Sequence, residues 1–178
     1  NLQDIEGNHN FFANNVLVHN RFCFVAGTQI TMIDGSFKNI EEVEIGDEVI
    51  TLNEETKLNE VKKVIDTKSP IHNDLVKYTL SNGVEVTSTF DHPFYVNKME
   101  LASHNPTLTN ERYQLGVNVR KIVKGDCVYM IPKDNGIGMH VVAIEKIEPQ
   151  PLVDTQTYIF TVEDNHNFYA NGILTHNK

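Results

Sequence analysis

Two residues near opposite ends of the chain could carry chemistry that needs no second protein. Cys23 sits in Phe22-Cys23-Phe24-Val25-Ala26-Gly27-Thr28, and His176-Asn177-Lys178 closes the sequence. The Cys23 sulfur can reach the Phe22 carbonyl through a five-membered ring, and attack would exchange the amide for a thioester. Roughly a few per cent of an ordinary Cys is thiolate at neutral pH, adequate if the amide is also activated. The leaving backbone nitrogen must be protonated as the bond breaks, and a His titrating near neutrality is the natural donor. At the other end, the Asn177 side-chain nitrogen can attack the Asn177 carbonyl, forming a succinimide and releasing Lys178. An amide nitrogen is a poor nucleophile, so this step needs a polarised carbonyl and a protonated leaving amine.

The elements that must position these groups read as strands. Period-2 and β-branched stretches fall at 29–33, 48–52, 61–65, 75–80, 84–88, 128–131, 141–147 and 158–162, and long helical periodicity is absent. Asn82-Gly83 predicts a type I′ hairpin between 75–80 and 84–88, and Asn171-Gly172 a similar turn. Asp34-Gly35 turns the chain after Ile33. The expected class is all-β.

Two internal repeats organise the chain. Asn39-Ile40-Glu41-Glu42-Val43-Glu44-Ile45-Gly46-Asp47-Glu48-Val49 echoes the segment from Asn118 to Val128, at an offset of 79 residues. Each places an apolar pair three residues apart before Gly-Asp and a strand, which predicts two β subdomains related by pseudo-symmetry. Residues 1–20 match 158–177 at ten of twenty positions without gaps. Both copies end in His-Asn and are followed by a basic residue, Arg21 or Lys178.

At 178 residues the chain fits one domain. It opens inside a motif, so it is expected to be a fragment of a longer polypeptide. A net charge of −9 without Lys or Arg runs argues against nucleic acid. No apolar run approaches the roughly 18 residues of a membrane span, and no signal peptide is visible, so a soluble, cytoplasmic domain is expected. Two cysteines make no disulfide framework. Cys127, within a buried-strand pattern, reads as an inert core thiol, with a disulfide to Cys23 left open.

The Cys23 segment, Thr89-Phe90-Asp91-His92 after Val84-Glu85-Val86, and the stretch from Tyr158 to Asn177 resemble, in order, the motifs of the Hint family. That family includes inteins, bacterial intein-like domains and the hedgehog autoprocessing domain. The resemblance covers residues 23–177 at mini-intein spacing. It implies a horseshoe-shaped, pseudo-twofold β fold and a self-processing domain. Residues 1–22 would then be an N-terminal flank and Lys178 the C-terminal flank. It also implies catalytic roles for six residues. Cys23 is the nucleophile, His92 protonates the leaving amide, and Thr89 orients or polarises that amide. His166 and His176 assist cyclisation of Asn177. Phe22 and Lys178 mark the two scissile junctions. His72, His104 and His140 carry no motif and read as ordinary surface or strand residues.

The chain departs from the splicing pattern in two places. A splicing intein has Cys, Ser or Thr after the terminal Asn, where this chain has Lys178. A lysine amine is almost wholly protonated at neutral pH, so ordinary acyl transfer to that residue is blocked. The pattern resembles a bacterial intein-like domain, in which cleavage at both ends dominates and splicing is a minor outcome. Ile159 stands where many inteins carry Asp or Cys, and it cannot relay protons to Cys23.

The alternative is an inactive Hint-like structural or interaction module in a larger protein, for instance a phage protein. The Cys and His spacings match no standard zinc motif, so neither a cofactor nor a structural metal is expected. The expected partners are flanking host-protein segments (exteins). Residues 1–20 and 158–177 would compete for one docking groove. The C-terminal copy should win, because Asn15 replaces Gly172 at the turn. Capture by a neighbouring molecule would give a domain-swapped dimer.

Overall fold

The computed structural model describes residues 10–13, 16–19, 22–131 and 138–177, the first two stretches as backbone. Lys178 lies outside the described residues. Almost every expected strand is present and belongs to one continuous sixteen-stranded sheet. Strand Glu48–Leu52 pairs with Asn59–Lys68, which pairs with Thr155–Val162 and through it with the short strand Phe24–Val25 beside Cys23. Phe24–Val25 then meets Glu85–Thr89, which leads into the Thr89-to-His92 motif. The path continues through Leu75–Leu80 and His140–Pro149 to Cys127–Met130. Strand Phe94–Val96 follows, and then the C-terminal hairpin. All-β is the observed class apart from two short helical pieces. Among the described residues no helix is long and apolar enough to cross a membrane.

The 79-residue repeat corresponds to a structural repeat. Gly46 N donates to Val64 O at 2.8 Å and Val64 N to Asp47 O at 2.8 Å. In the second copy Gly125 N donates to Ile144 O at 2.9 Å and Ile144 N to Asp126 O at 2.8 Å. Asp47 Oδ2 accepts from Glu44 N at 2.8 Å, and Asp126 Oδ2 from Val123 N at 2.9 Å. Gly46 and Gly125 have φ of +96° and +93°, a region open to glycine and strained for other residues. The apolar pairs, Ile40 with Val43 and Val119 with Ile122, are all buried. Each Gly-Asp unit thus clamps the long strand that follows it.

Several expectations need correction. In Asn82-Gly83 only Gly83 has positive φ, at +83°. Gly83 N returns to Leu80 O at 2.9 Å, and the first flanking pair in register is Thr79 with Glu85. This is a three-residue loop with a bulged glycine, not a type I′ turn. Asn171 (φ +49°) and Gly172 (φ +77°) do form the type I′ turn, closing Asn167–Ala170 onto Ile173–His176. A helix, Pro106–Tyr113, was not expected. Asn105 caps it by accepting from Leu108 N at 3.2 Å, and Pro sits in its first turn. Cys127 is half-buried at a strand start rather than in the core, and neither cysteine is in a disulfide. His72 lies in the strand Ile71–His72, as expected of a strand residue, with Nδ1 3.1 Å from Asp74. His104 is half-buried against the Phe90 ring, and His140 is exposed.

The clamp aspartates generate a prediction. Asp126 is 7% exposed and held by both Arg120 amines, by Asn97 and by Val123 N, whereas Asp47 is 23% exposed and held by Lys38 and Glu44 N. Asp126→Ala should cost about 2–3 kcal/mol and Asp47→Ala about 1 kcal/mol in urea denaturation. Equal costs would show that the two clamps bear equal load.

Candidate active site

Cys23 is fully buried on the central strand path. Its amide N–H donates to Thr89 Oγ1 at 3.2 Å, and its carbonyl accepts from Thr89 N at 3.0 Å. Thr89 therefore holds the nitrogen that would leave Phe22. His92 follows through a turn in which its N–H donates to Thr89 O at 3.1 Å. The His92 ring is fully buried, with ring centroids 5.5 Å from Phe22, 4.2 Å from Phe24 and 5.2 Å from Phe94. It thus packs against both neighbours of Cys23.

The same ring meets the C-terminal end of the chain. His92 Nε2 and Thr175 Oγ1 are hydrogen-bonded. Thr175 Oγ1 donates to Pro93 O at 3.3 Å, so it accepts from Nε2–H and sets Nδ1 as the lone-pair nitrogen. His92 Nδ1 is buried without a hydrogen-bond partner. Burial, with the nearby His176 charge second, pushes the His92 pKa well below its ordinary value. The resting imidazole is neutral, which suits a group that first takes a proton and then returns it.

At the other junction, Asn177 is fully buried. Its backbone N–H donates to His166 O at 2.6 Å, and its side-chain Nδ2 donates to Phe160 O. Asn177 Oδ1 has no hydrogen-bond partner. Phe160 belongs to the strand paired with Phe24–Val25, and continuing the Tyr158–Phe24 register places it opposite Phe22. The Asn177 side chain thus lies on the strand beside the first junction. The His176 ring is 6.4 Å from the Phe22 ring. Its Nδ1 lies 3.1 Å from Tyr95 Oη, and Tyr95 donates to Glu54 Oε1 at 2.5 Å. That phenol accepts from His176 Nδ1–H, and burial followed by the Glu54 carboxylate pushes its pKa up. His166 joins the site through its carbonyl; its ring is exposed and lines, with His176, a cleft of about 450 Å³.

Thr175, Tyr95, Glu54 and Phe160 were not identified from sequence. Strand alternation offered one signal: Thr175 and Asn177 share a face that excludes His176. Tyr95 and Glu54 sit in loops and strands joined only by tertiary structure. Asp91 was noted only as part of the motif. Its fully buried carboxylate accepts from Arg112 Nη1 and Tyr113 Oη, both at 2.9 Å. The helix so anchored lays Tyr113 over Phe22, with centroids 3.8 Å apart, and leaves Phe22 1% exposed. Ile159 is buried at 3% exposure and offers no titratable group. Among the described residues no cluster of three or more His, Cys, Asp or Glu side chains could hold a metal ion.

This strand path and site define the Hint fold, and known proteins agree. The Hint module family matches residues 12–152, so the chain belongs to that family. The chain is similar to a bacterial intein-like domain from Clostridium thermocellum, with TM-score 0.67 and 29% identity over 87% of this chain and 98% of that one. It shares the fold of a DnaB intein from Synechocystis sp. PCC 6803, with TM-score 0.69 and 18% identity over 88% and 99% of the two chains. A Methanocaldococcus jannaschii protein, MJ0781, is 32% identical over 133 residues. That match spans 72% of this chain but only 16% of MJ0781.

Because His92 is held neutral in the fold, the unfolded chain takes up its proton first as pH falls. Stability should therefore be full above the ordinary His value of 6.5 and decline below it, with a slope of up to about 1.4 kcal/mol per pH unit for this proton. His92→Gln should flatten that slope in denaturation curves between about pH 6.5 and 5. An unchanged slope would mean that His92 is not the group being protonated.

Proposed function

We propose that this chain is a single-turnover, self-processing domain of the intein type, with residues 23–177 as the processing unit. The observation that carries the reading is His92, a buried neutral imidazole that packs around Cys23 and is hydrogen-bonded to the strand ending in Asn177. In the first step the Cys23 sulfur attacks the Phe22 carbonyl. A thioester forms, the Phe22–Cys23 amide breaks, and the thiol proton passes through His92 Nδ1 to the Cys23 nitrogen. Thr89, already bonded to that N–H, holds the nitrogen that leaves. Water or an added thiol then takes the acyl group.

In the second step the Asn177 nitrogen attacks its own carbonyl, the Asn177–Lys178 bond breaks, and the leaving amine gains a proton. His176, bonded to Tyr95 and through it to Glu54, is the group assigned to assist this step. The Asn177 amide is tied to Phe160 O at rest, so cyclisation requires that bond to break first. Lys178 as the receiving residue favours cleavage over ligation. The partners are the host segments on either side. The second reading, an inactive structural module, is favoured by Ile159, buried where a proton relay would be needed.

Intact-mass spectrometry of a chain with both flanks extended separates the two readings. Cleavage before Cys23 should rise with dithiothreitol and vanish in Cys23→Ala, and cleavage after Asn177 should vanish in Asn177→Ala. If neither product accumulates over days, the inactive reading stands.

Thr175 is a positioning residue in this scheme. Thr175→Val should slow thiol-induced cleavage about tenfold or more and shift its pH profile, with Thr175→Ser restoring both. Equal rates in the Val and Ser variants would remove Thr175 from the mechanism.

A further inference from the structure

The N-terminal repeat folds as the C-terminal one does. Asn10–Ala13 pairs with Val16–His19 in the register Asn10–His19, Phe11–Val18, Phe12–Leu17 and Ala13–Val16. Shifted by 157 residues, this is the register Asn167–His176, Phe168–Thr175, Tyr169–Leu174 and Ala170–Ile173. The N-terminal hairpin is a separate two-stranded sheet, whereas its counterpart sits in the large sheet between Gln29–Thr31 and Phe94–Val96.

The side chains that seat the C-terminal hairpin in that slot are the ones the repeat retains. Asn167 brackets Leu52, accepting from its N–H at 2.7 Å and donating to its carbonyl at 2.8 Å, and Asn10 holds this position. Asn171 accepts from Gln29 N and donates to Glu85 O, each at 2.7 Å, and Asn14 corresponds. Phe168, Ala170 and Leu174 are fully buried, and Phe11, Ala13 and Leu17 are identical to them. Three differences favour the local copy. Phe12 lacks the Tyr169 hydroxyl that donates to Asn59 at 2.6 Å, Asn15 replaces Gly172, and Val18 replaces Thr175.

We propose that residues 8–20 are an alternative occupant of this slot, donated by a second copy of the chain, and that the Asn20–Arg21 bond is a second cleavage site. Arg21 alone links Asn20 to the buried Phe22. Docking into the molecule's own slot must therefore fit a span of at most about 7 Å, a constraint that a second copy does not face. Charge is consistent with the exchange. The cleft beside His176 is lined by Glu54, Glu55, Glu60 and Asp164, with Lys62 paired to the last two, and a basic residue follows Asn in both copies. The cleavage half rests on the self-processing reading; the docking half does not. In the docked copy Asn20 Nδ2 attacks the Asn20 carbonyl, the Asn20–Arg21 bond breaks, and the nitrogen's proton ends on the Arg21 amine. With Val18 beside His92, the receiving molecule loses the hydroxyl partner of Nε2, so its cleavage before Cys23 slows.

The test uses the full chain and its Gly172→Asn variant. Gly172 has φ +77°, where a side chain is strained but Asn is among the better tolerated, so the substitution should weaken the local hairpin without unfolding the module. Light scattering after size exclusion should show a concentration-dependent dimer that increases in Gly172→Asn and is lost when Asn10→Ala is added. Intact mass should show a fragment of residues 1–20 ending in succinimide, formed faster in proportion to concentration and absent in Asn20→Ala, which still dimerises. Monomers throughout, or a dimer that survives Asn10→Ala, overturn the docking. Release of residues 1–20 independent of concentration overturns the two-copy form. In the dimer, cleavage after Asn177 without cleavage after Asn20 overturns the second site. Cleavage at neither bond counts against self-processing, while the dimer still supports the docking.

Discussion

A hydrogen bond between His92 Nε2 and Thr175 Oγ1 ties the C-terminal hairpin to an imidazole packed against both neighbours of Cys23. The ring is enclosed by Phe22, Phe24 and Phe94, and its other nitrogen is left without a partner. Leaving a buried polar atom unsatisfied costs about 1–3 kcal/mol. Asn177 Oδ1 and Asp91 Oδ1 are in the same condition, and Asp91 adjoins His92. A fold selected for stability alone would fill these positions with apolar groups. Thr31 Oγ1, His72 Nε2, Tyr78 Oη and His104 Nδ1 are orphaned outside the site, so the cost is shared with the rest of the fold.

The rest of the architecture positions that imidazole. The paired Gly-Asp clamps fix two long strands, and the sheet path brings Phe24–Val25 against both Glu85–Thr89 and Thr155–Val162. The C-terminal hairpin then joins segments distant in sequence: Ala170 pairs with Ile30, Thr175 with Phe94 and Ile173 with Met130. Such non-local pairing is slow to form. The bond to His92 is therefore available only once the last hairpin is seated.

Much of this was legible in the sequence because it rests on local rules. Period-2 patterning located the strands, and the Asn171-Gly172 turn fixed the terminal hairpin. The 79-residue echo marked two equivalent clamps. Asn82-Gly83 misled because the same dipeptide serves a bulged three-residue loop as readily as a two-residue turn, and the cross-strand register decides between them. The helix Pro106–Tyr113 was missed because its face toward the core is narrow: Thr109 is its buried residue, and Arg112 and Tyr113 are held by polar bonds to Asp91. Tyr95, Glu54 and Phe160 were illegible for a different reason. Their part depends on which groups the sheet brings together, and Phe160 contributes only a carbonyl.

The two hairpins separate docking from chemistry within one chain. They agree at Asn10 and Asn167, Phe11 and Phe168, Ala13 and Ala170, and Asn14 and Asn171, the positions that engage the slot or the core. They differ at Phe12 and Tyr169, whose hydroxyl also seats the hairpin, at Asn15 and Gly172, and at Val18 and Thr175, the position bonded to the imidazole. Asn20 keeps the means of cyclisation, while Val18 removes the hydroxyl on which the orientation of His92 depends. A slot that admits either hairpin would therefore set not only which bond breaks but whether the Cys23 step is supported at the same time.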